Sequence, residues 1–312
     1  VTDRAKFDDL PTIVINAIED KIGPIRTVEA VPGDRPGFAA RIYAGEDDVF
    51  LKAVPALSPA AEVYRREEWT ASHLHPPIPP EGPLRPPAPA PRLLWSTVAG
   101  GWLILAFELI NDHARHADLR PGSPDLPAVL DVVERLYTAL TPSPLPDQEP
   151  AVEYVSRVMA SHWHLVTDAQ RALFTSAVGA CKDQYLDGDT LLPGTLGASN
   201  MLIKDGQAHV VDWSEALCGP AWINAAMLGP CLIAAGHSPE QAEAVLSAAT
   251  AWMDAPADGV AGLAAVRVLP LLHQIHAGPV ERRKAAARKA DAHWQWAAHM
   301  LGMSLPAGCE GR

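Results

Sequence analysis

Cysteine and basic charge are both scarce in this 312-residue chain, and no apolar run approaches the roughly 20 residues of a membrane span. The four cysteines, Cys181, Cys218, Cys231 and Cys309, have neither metal-ligand spacing nor the density of a disulfide framework. Buried free thiols are therefore expected. Lys and Arg total 25 against 37 Asp and Glu, a net charge of −12. That balance argues against a broad nucleic-acid surface and is compatible with cationic small molecules. The lack of a long apolar run, with an acidic start Val1-Thr2-Asp3 unlike a signal peptide, leads us to expect no membrane partner and a cytoplasmic location. No internal repeat is present.

Hydrophobic residues make up 48% of the chain, enough for one large domain or two lobes. Asp8 to Lys21 is helical in pattern, with Ile13, Ile15, Ile18 and Ile22 available for packing. Strand-like runs follow at Ile25–Val31, Phe38–Tyr43 and Val49–Val54. Ser58-Pro59 should cap and open a helix running to about Leu74. Nine prolines between Pro76 and Pro91 dictate an extended connection, because proline fixes φ and lacks a donor. Leu93–Val98 and Trp102–Phe107 read as strands joined by Gly100-Gly101. Beyond Ile110 the chain turns helical. Asp125 and Pro127 open a helix with the stripe Val129, Leu130, Val133, Leu136, Tyr137 and Leu140. Further helices are expected over Val152–Val166, Asp168–Tyr185, Ala221–Ala235, Ser238–Met253 and Val280–Met300.

Two short apolar runs flank Asp205-Gly206, a strong hairpin signal. The hairpin would leave Asn200 and Asp212 side by side at its open end, a carboxamide and a carboxylate suited to a hard cation such as Mg²⁺. An ordinary exposed hairpin is the competing reading. Lys52 sits in the third strand among Phe50, Leu51, Ala53 and Val54, where an unpaired ammonium must reach water or find an anion. On the next helix Val63, Glu67, Ala71 and Leu74 share one face, so Glu67 is a carboxylate on an apolar stripe. Pairing Lys52 with Glu67 would satisfy both groups. Glu68 is the fallback partner, and a lysine snorkelling to water is the alternative.

These motifs, taken in order, resemble the aminoglycoside phosphotransferase and choline kinase family, whose loop reads His-Gly-Asp-x-x-x-x-Asn and whose second Asp is followed by Trp. The matching stretch here runs from Pro193-Gly194-Thr195 to Asn200, followed by Asp212-Trp213. The resemblance implies an α+β, two-lobed protein-kinase-like fold, with a strand-rich N-lobe over 1–110 and a helical C-lobe over 111–312. It implies ATP or GTP with Mg²⁺ as cofactor, Lys52 and Glu67 at the nucleotide phosphates, Glu108, Leu109 and Ile110 at an adenine-binding hinge, and Asn200 and Asp212 as metal ligands. Gly33 and Gly37, between the first two strands, fall where the family covers the phosphates, without a full glycine-rich pattern.

The departures from the family are local. Pro193 replaces the family His, Thr195 replaces the catalytic Asp, and Asn224 stands where the family has a loop-bracing Asp. A threonine hydroxyl has far too high a pKa to act as general base. The expected protein is a nucleotide-binding pseudokinase, or a repurposed small-molecule or peptide-tailoring protein, with a protein partner in the pseudokinase case. The alternatives are an active O-phosphotransferase on a small hydroxylated substrate, cationic or neutral, that uses Asp187, Asp189 or Glu215 as substitute base, and a non-nucleotide enzyme using the same cleft. Three further features read as structural: Asp112 to His116 as a solvated loop, His162-Trp163-His164 as a helix face, and the basic run Arg282, Arg283, Lys284, Arg288 and Lys289 as the wet face of a terminal helix.

Overall fold

The computed structural model describes residues 4–31, 33, 36–75, 86–110, 114–145 and 147–305. Five antiparallel strands, β1 (Thr27–Ala30), β2 (Phe38–Tyr43), β3 (Val49–Pro55), β4 (Leu93–Ala99) and β5 (Trp102–Glu108), form one sheet in the order β1-β2-β3-β5-β4. Helix α1 (Thr12–Ile22) covers one face, burying Val14, Ile18 and Ile22 against Ile42, Leu51 and Ile104. Helix α2 (Ala61–Leu74) covers the other, packing Tyr64 and Ala71 on Val54, Leu105 and Phe107. Alternation along a strand therefore sends Leu51 and Ala53 towards α1, and places Phe50, Lys52 and Val54 on the α2 side. That period of two brings Lys52 under the helix that carries Glu67.

The rest of the chain is mainly helical: α3 (Leu126–Leu140), α4 (Ala151–His162), α5 (Asp168–Ala180), α6 (Trp222–Ala234), α7 (Pro239–Leu246), α8 (Ala257–Ala277) and α9 (Val280–Met300). Small strands interrupt it. Strands β6 (Arg115–His116), β8 (Met201–Lys204) and β9 (Gln207–Val210) form one sheet, while β7 (Thr190–Leu192) pairs with β10 (Leu217–Gly219). The fold is α+β, an antiparallel sheet region followed by a helical region, as expected. The extended connection ends on this second region: Val210 N–H donates to Pro89 O at 2.7 Å, and Ala90 O lies 2.9 Å from His75 Nε2. Its residues 76–85 lie outside the described residues, as do Asp112, His113 and Cys309.

Several local expectations are corrected. Ser58 does not cap α2; its Oγ is buried without a partner among the described residues and the helix begins at Ala61. Asp125 and Pro127 do open α3, which starts at Leu126, but the Asp125 carboxylate accepts from Arg115 Nη2 at 2.6 Å and from Asp118 N–H at 2.9 Å and not from a helix N–H. Tyr137 is 38% exposed, and Val132 and Ala139 take its place in the buried stripe. The expected helices over Asp168–Tyr185 and Ser238–Met253 each stop early and finish in a 3-10 turn.

Helix α8 was not anticipated. It is apolar nearly all round, so no polar stripe marks its period, and Pro270 lies inside it. By length and composition it could cross a membrane, yet in this fold it is a core helix that buries Val260, Leu263, Val266 and Leu269. Its partner α9 supplies two fully buried tryptophans to different parts of the core: Trp294 packs with α8, whereas Trp296 reaches α6. Gly229 makes room there, since a Cβ at that position would lie 2.4 Å from the Trp296 ring.

Candidate active site

A cleft of about 1270 Å³ opens between the five-stranded sheet and the helical region. It is larger than the roughly 300–1,000 Å³ that one small ligand usually occupies. On the sheet side Lys52 Nζ donates to both Glu67 oxygens, at 2.6 and 2.8 Å. Glu67 is only 5% exposed, so this is a largely desolvated pair whose separation would leave a buried charge, at a cost of about 3–5 kcal/mol. Glu68 is instead hydrogen-bonded by Ser96. The same Nζ lies 3.9 Å from Asp212 Oδ1, which joins the two halves of the cleft electrostatically.

The Asp205-Gly206 turn has both residues at positive φ, 50° and 77°, the geometry a two-residue hairpin requires. It pairs Met201 with Val210, and Val211 N–H donates to Asn200 O at 2.9 Å. Asp212 then takes φ 65°, a left-handed conformation that turns the chain at the hairpin end. Ser214, 1% exposed, donates to Asp212 Oδ1 at 2.7 Å, and Trp213 Nε1 donates to Val210 O at 3.0 Å. Sequence reasoning passed over Ser214 because a serine two residues beyond an Asp is unremarkable until the backbone turns left-handed.

Between β7 and β8 the loop 193–200 crosses the cleft floor. Gly194 has φ 74°, and a Cβ there would meet Glu215 O at 1.8 Å, so no larger residue fits. Asn200 Nδ2 donates to Thr195 Oγ1 at 2.7 Å, which orients the amide with its oxygen free of that contact. Asn224, 1% exposed on α6, has no hydrogen-bond partner on either amide atom among the described residues. Its side chain therefore does not brace this loop. Instead, Arg267 of α8 donates to Gly194 O at 2.8 Å. Nothing in the sequence placed α8 beside the loop.

Glu108, Leu109 and Ile110 line the cleft where β5 ends. Glu108 N–H is taken by Arg92 O at 2.8 Å, whereas Ile110 N–H has no acceptor among the described residues. On the sheet side Gly37, at φ 106°, approaches β3 so closely that a Cβ would lie 2.5 Å from Ala53 O, and Tyr64 Oη holds Pro36 O at 2.8 Å. Of the three substitute-base candidates, Glu215 lines the cleft; Asp187 and Asp189 are exposed outside it, near Cys218. The Glu215 charge is felt weakly by Arg157, whose guanidinium is held bidentate by Glu149 at 2.7 and 2.9 Å. The described residues hold no group of three or more His, Cys, Asp or Glu suited to a metal.

Two features expected to be surface elements contribute to the cleft. His162 lines it, as do Arg288, Lys289 and His293 of α9. Burial pushes the His293 imidazole down, to about 3, with repulsion from Arg267 and Lys289 opposing the Ala264 carbonyl. Because an unfolded histidine takes up a proton near its ordinary 6.5 while the native one refuses it, stability is fully present above that pH and falls towards about 3. The slope should reach up to about 1.4 kcal/mol per pH unit. Denaturant midpoints from about pH 8 down to about pH 4 would measure it. His293→Gln should flatten the acid limb by one proton, and identical slopes would show an ordinarily titrating imidazole.

No protein-family model matches the chain, and no curated protein sequence matches it. Solved structures do. Aminoglycoside phosphotransferase APH(4)-Ia aligns at 15% identity over 90% of this chain and 97% of its own, with a TM-score of 0.59. Spectinomycin phosphotransferase APH(9)-Ia, as its AMP complex, aligns at 10% identity over 93% and 97%, with a TM-score of 0.57. Choline kinase LicA from Streptococcus pneumoniae aligns at 13% identity over 89% and 98%, with a TM-score of 0.55. A thermostable APH(4)-Ia mutant in complex with AMP-PNP and hygromycin B gives a TM-score of 0.60 at 16% identity, over 89% and 96%. The chain thus has the two-lobed, protein-kinase-like fold shared by the aminoglycoside phosphotransferases and choline kinase.

Proposed function

We propose that this protein binds ATP or GTP with Mg²⁺ between an N-lobe over 1–110 and a C-lobe over 111–312, and that its phosphoryl transfer is impaired at Thr195. The observation that carries the reading is Lys52, clamped by Glu67 and 3.9 Å from Asp212, in a cleft also lined by Asn200. A lysine so held presents a fixed positive charge to phosphates. Asp212 and Asn200 would hold the metal, with nucleotide oxygens completing a shell that two protein groups leave open. The bound cation would offset phosphate charge.

The impairment follows from Thr195 itself. Its hydroxyl already accepts from Asn200, and it is neither a base nor the two-oxygen acceptor that would aim a substrate hydroxyl. Loss of a general base costs about 10²–10⁴ in rate. Glu215 is the residual candidate for that role, since it lines the cleft beside the loop.

Thermal denaturation with millimolar ATP or GTP and Mg²⁺ tests the nucleotide reading. A nucleotide at about 100 times its dissociation constant should stabilise the fold by about 2.7 kcal/mol. An unmoved melting curve, with calorimetry equally silent, would leave the cleft without a nucleotide role.

A further inference from the structure

The cleft wall facing the loop 193–200 carries positive charge, in a chain whose net charge is −12. Helix α8 contributes Arg267, half-buried, whose guanidinium spends one N–H on Gly194 O and meets no carboxylate among the described residues. Helix α9 contributes Arg288 and Lys289, and neither has an ion-pair or hydrogen-bond partner among the described residues. Arg267 and Lys289 both act on Cys231 and His293, so the two cations converge on one region of the wall. Most carboxylates of the cleft are otherwise engaged: Glu67 with Lys52, Asp118 with Arg120, and Asp212 with Ser214 and Lys52, while Glu108 lies at the end of β5 and accepts from Arg92 N–H.

A second, independent observation points the same way. His162 Nδ1 is a buried polar atom that lines this wall and has no hydrogen-bond partner among the described residues. Buried polar atoms in a folded protein almost always find partners, and an imidazole nitrogen can carry a proton to donate, so this orphan in a wall whose cations lack carboxylate partners fits a ligand rich in acceptors. A polycation would be repelled by Arg267, Arg288 and Lys289.

We propose that Arg267, Arg288 and Lys289 bind an anionic small molecule, one bearing a carboxylate or a phosphate, on the acceptor side of the cleft. The proposal rests on reading the opposite, Lys52 side as the nucleotide site. It reverses the expectation of a cationic substrate drawn from the overall charge, because the local field of the wall governs what enters it. The α9 basic run is divided accordingly: Arg288 and Lys289 turn to the cleft, while Arg283 donates to Gly278 O at the helix start.

The experiment is calorimetric titration of the whole chain, saturated with MgADP, by inorganic phosphate, glycerol 3-phosphate and citrate in one set, and by hygromycin B and choline in another. Binding of at least one anion is expected, weakening as NaCl rises. In Arg288→Gln/Lys289→Gln, two exposed positions whose exchange leaves the core intact, that affinity should drop by about tenfold or more, in line with lost charge-assisted hydrogen bonds. The MgATP-induced melting shift should be unchanged in the same variant. Glycerol 3-phosphate against citrate separates a phosphate ligand from a carboxylate one. Silence towards every anion, tighter binding of hygromycin B or choline, equal anion affinity in the variant, or anion binding that MgADP abolishes would each overturn the proposal. Loss of the MgATP shift in the wild-type protein is a separate failure: it removes the nucleotide reading and leaves the anion titrations on the free chain to stand or fall alone.

Discussion

Replacing Asp212 with asparagine should remove nearly all nucleotide-dependent stabilisation. Asparagine is the informative exchange because Asp212 has φ 65°, a conformation that asparagine tolerates and alanine resists by about 1–2 kcal/mol. The variant keeps the turn and removes the charge. Lys52 retains both Glu67 oxygens, so the sheet side of the cleft stays assembled. With the carboxylate gone, a metal held at this site would lose a charged protein ligand, and a bound triphosphate would lose the cation that offsets it. A hundredfold weaker nucleotide, at a concentration that had been 100 times the dissociation constant, stabilises by about 0.4 kcal/mol in place of about 2.7. Melting curves of wild type and Asp212→Asn, with and without MgATP, give the comparison. A full shift in the variant would mean that the nucleotide, if bound, does not use this end of the hairpin.

The Lys52–Glu67 pair was legible in the sequence because two short-range periods fixed it. Alternation put Lys52 on the α2 side of β3, and spacing of four put Glu67 on the apolar stripe of α2. The hairpin was equally legible from Asp205-Gly206, whose turn type demands positive φ. Neither inference required knowledge of distant packing. The helical wall opposite was different. Arg288 and Lys289 belong to a charged run that looks like any solvated helix face, and only the docking of α9 against α8 turns them into the cleft. Arg267 was hidden for another reason, since α8 has no amphipathic period by which to recognise it as a helix.

Asn224 illustrates a different limit. The resemblance placed it at a bracing position, where a carboxylate would accept hydrogen bonds from the loop. In the fold its amide is buried and finds no partner among the described residues, and the loop is tied instead through Arg267 to Gly194 O. Position along the chain carried over; the hydrogen bond did not. Restoring the acid there would bury a carboxylate among groups that give it no partner, which costs several kcal/mol or forces the acid neutral. Thr195 is therefore the position at which lost chemistry can be tested without that penalty.

Thr195→Asp should raise ATP hydrolysis or phosphoryl transfer by about tenfold or more, a modest share of what a general base supplies. Thr195 is half-buried and lines the open cleft, so a carboxylate there keeps access to water, unlike one at Asn224. Asn200 Nδ2, 2.7 Å from the present hydroxyl, is placed to donate to the new oxygen. Arg267, tied to the carbonyl of the preceding residue, adds a favourable charge that keeps the acid ionised. The second carboxylate oxygen then faces the cleft as the acceptor that threonine lacks. Labelled γ-phosphate release and transfer, measured for wild type, Thr195→Asp and Thr195→Asp/Asp212→Asn, provide the readout. The gain should vanish in the double variant, because both groups serve one reacting phosphate and their effects are coupled. Wild-type turnover of about 1 s⁻¹ or more on any acceptor would put the protein in the ordinary kinase range and defeat the impaired reading. No gain from Thr195→Asp, with folding and MgATP binding intact, would mean that Thr195 is a wall of a rebuilt pocket, in which the orientation once given by an acid has passed to the cations of α8 and α9.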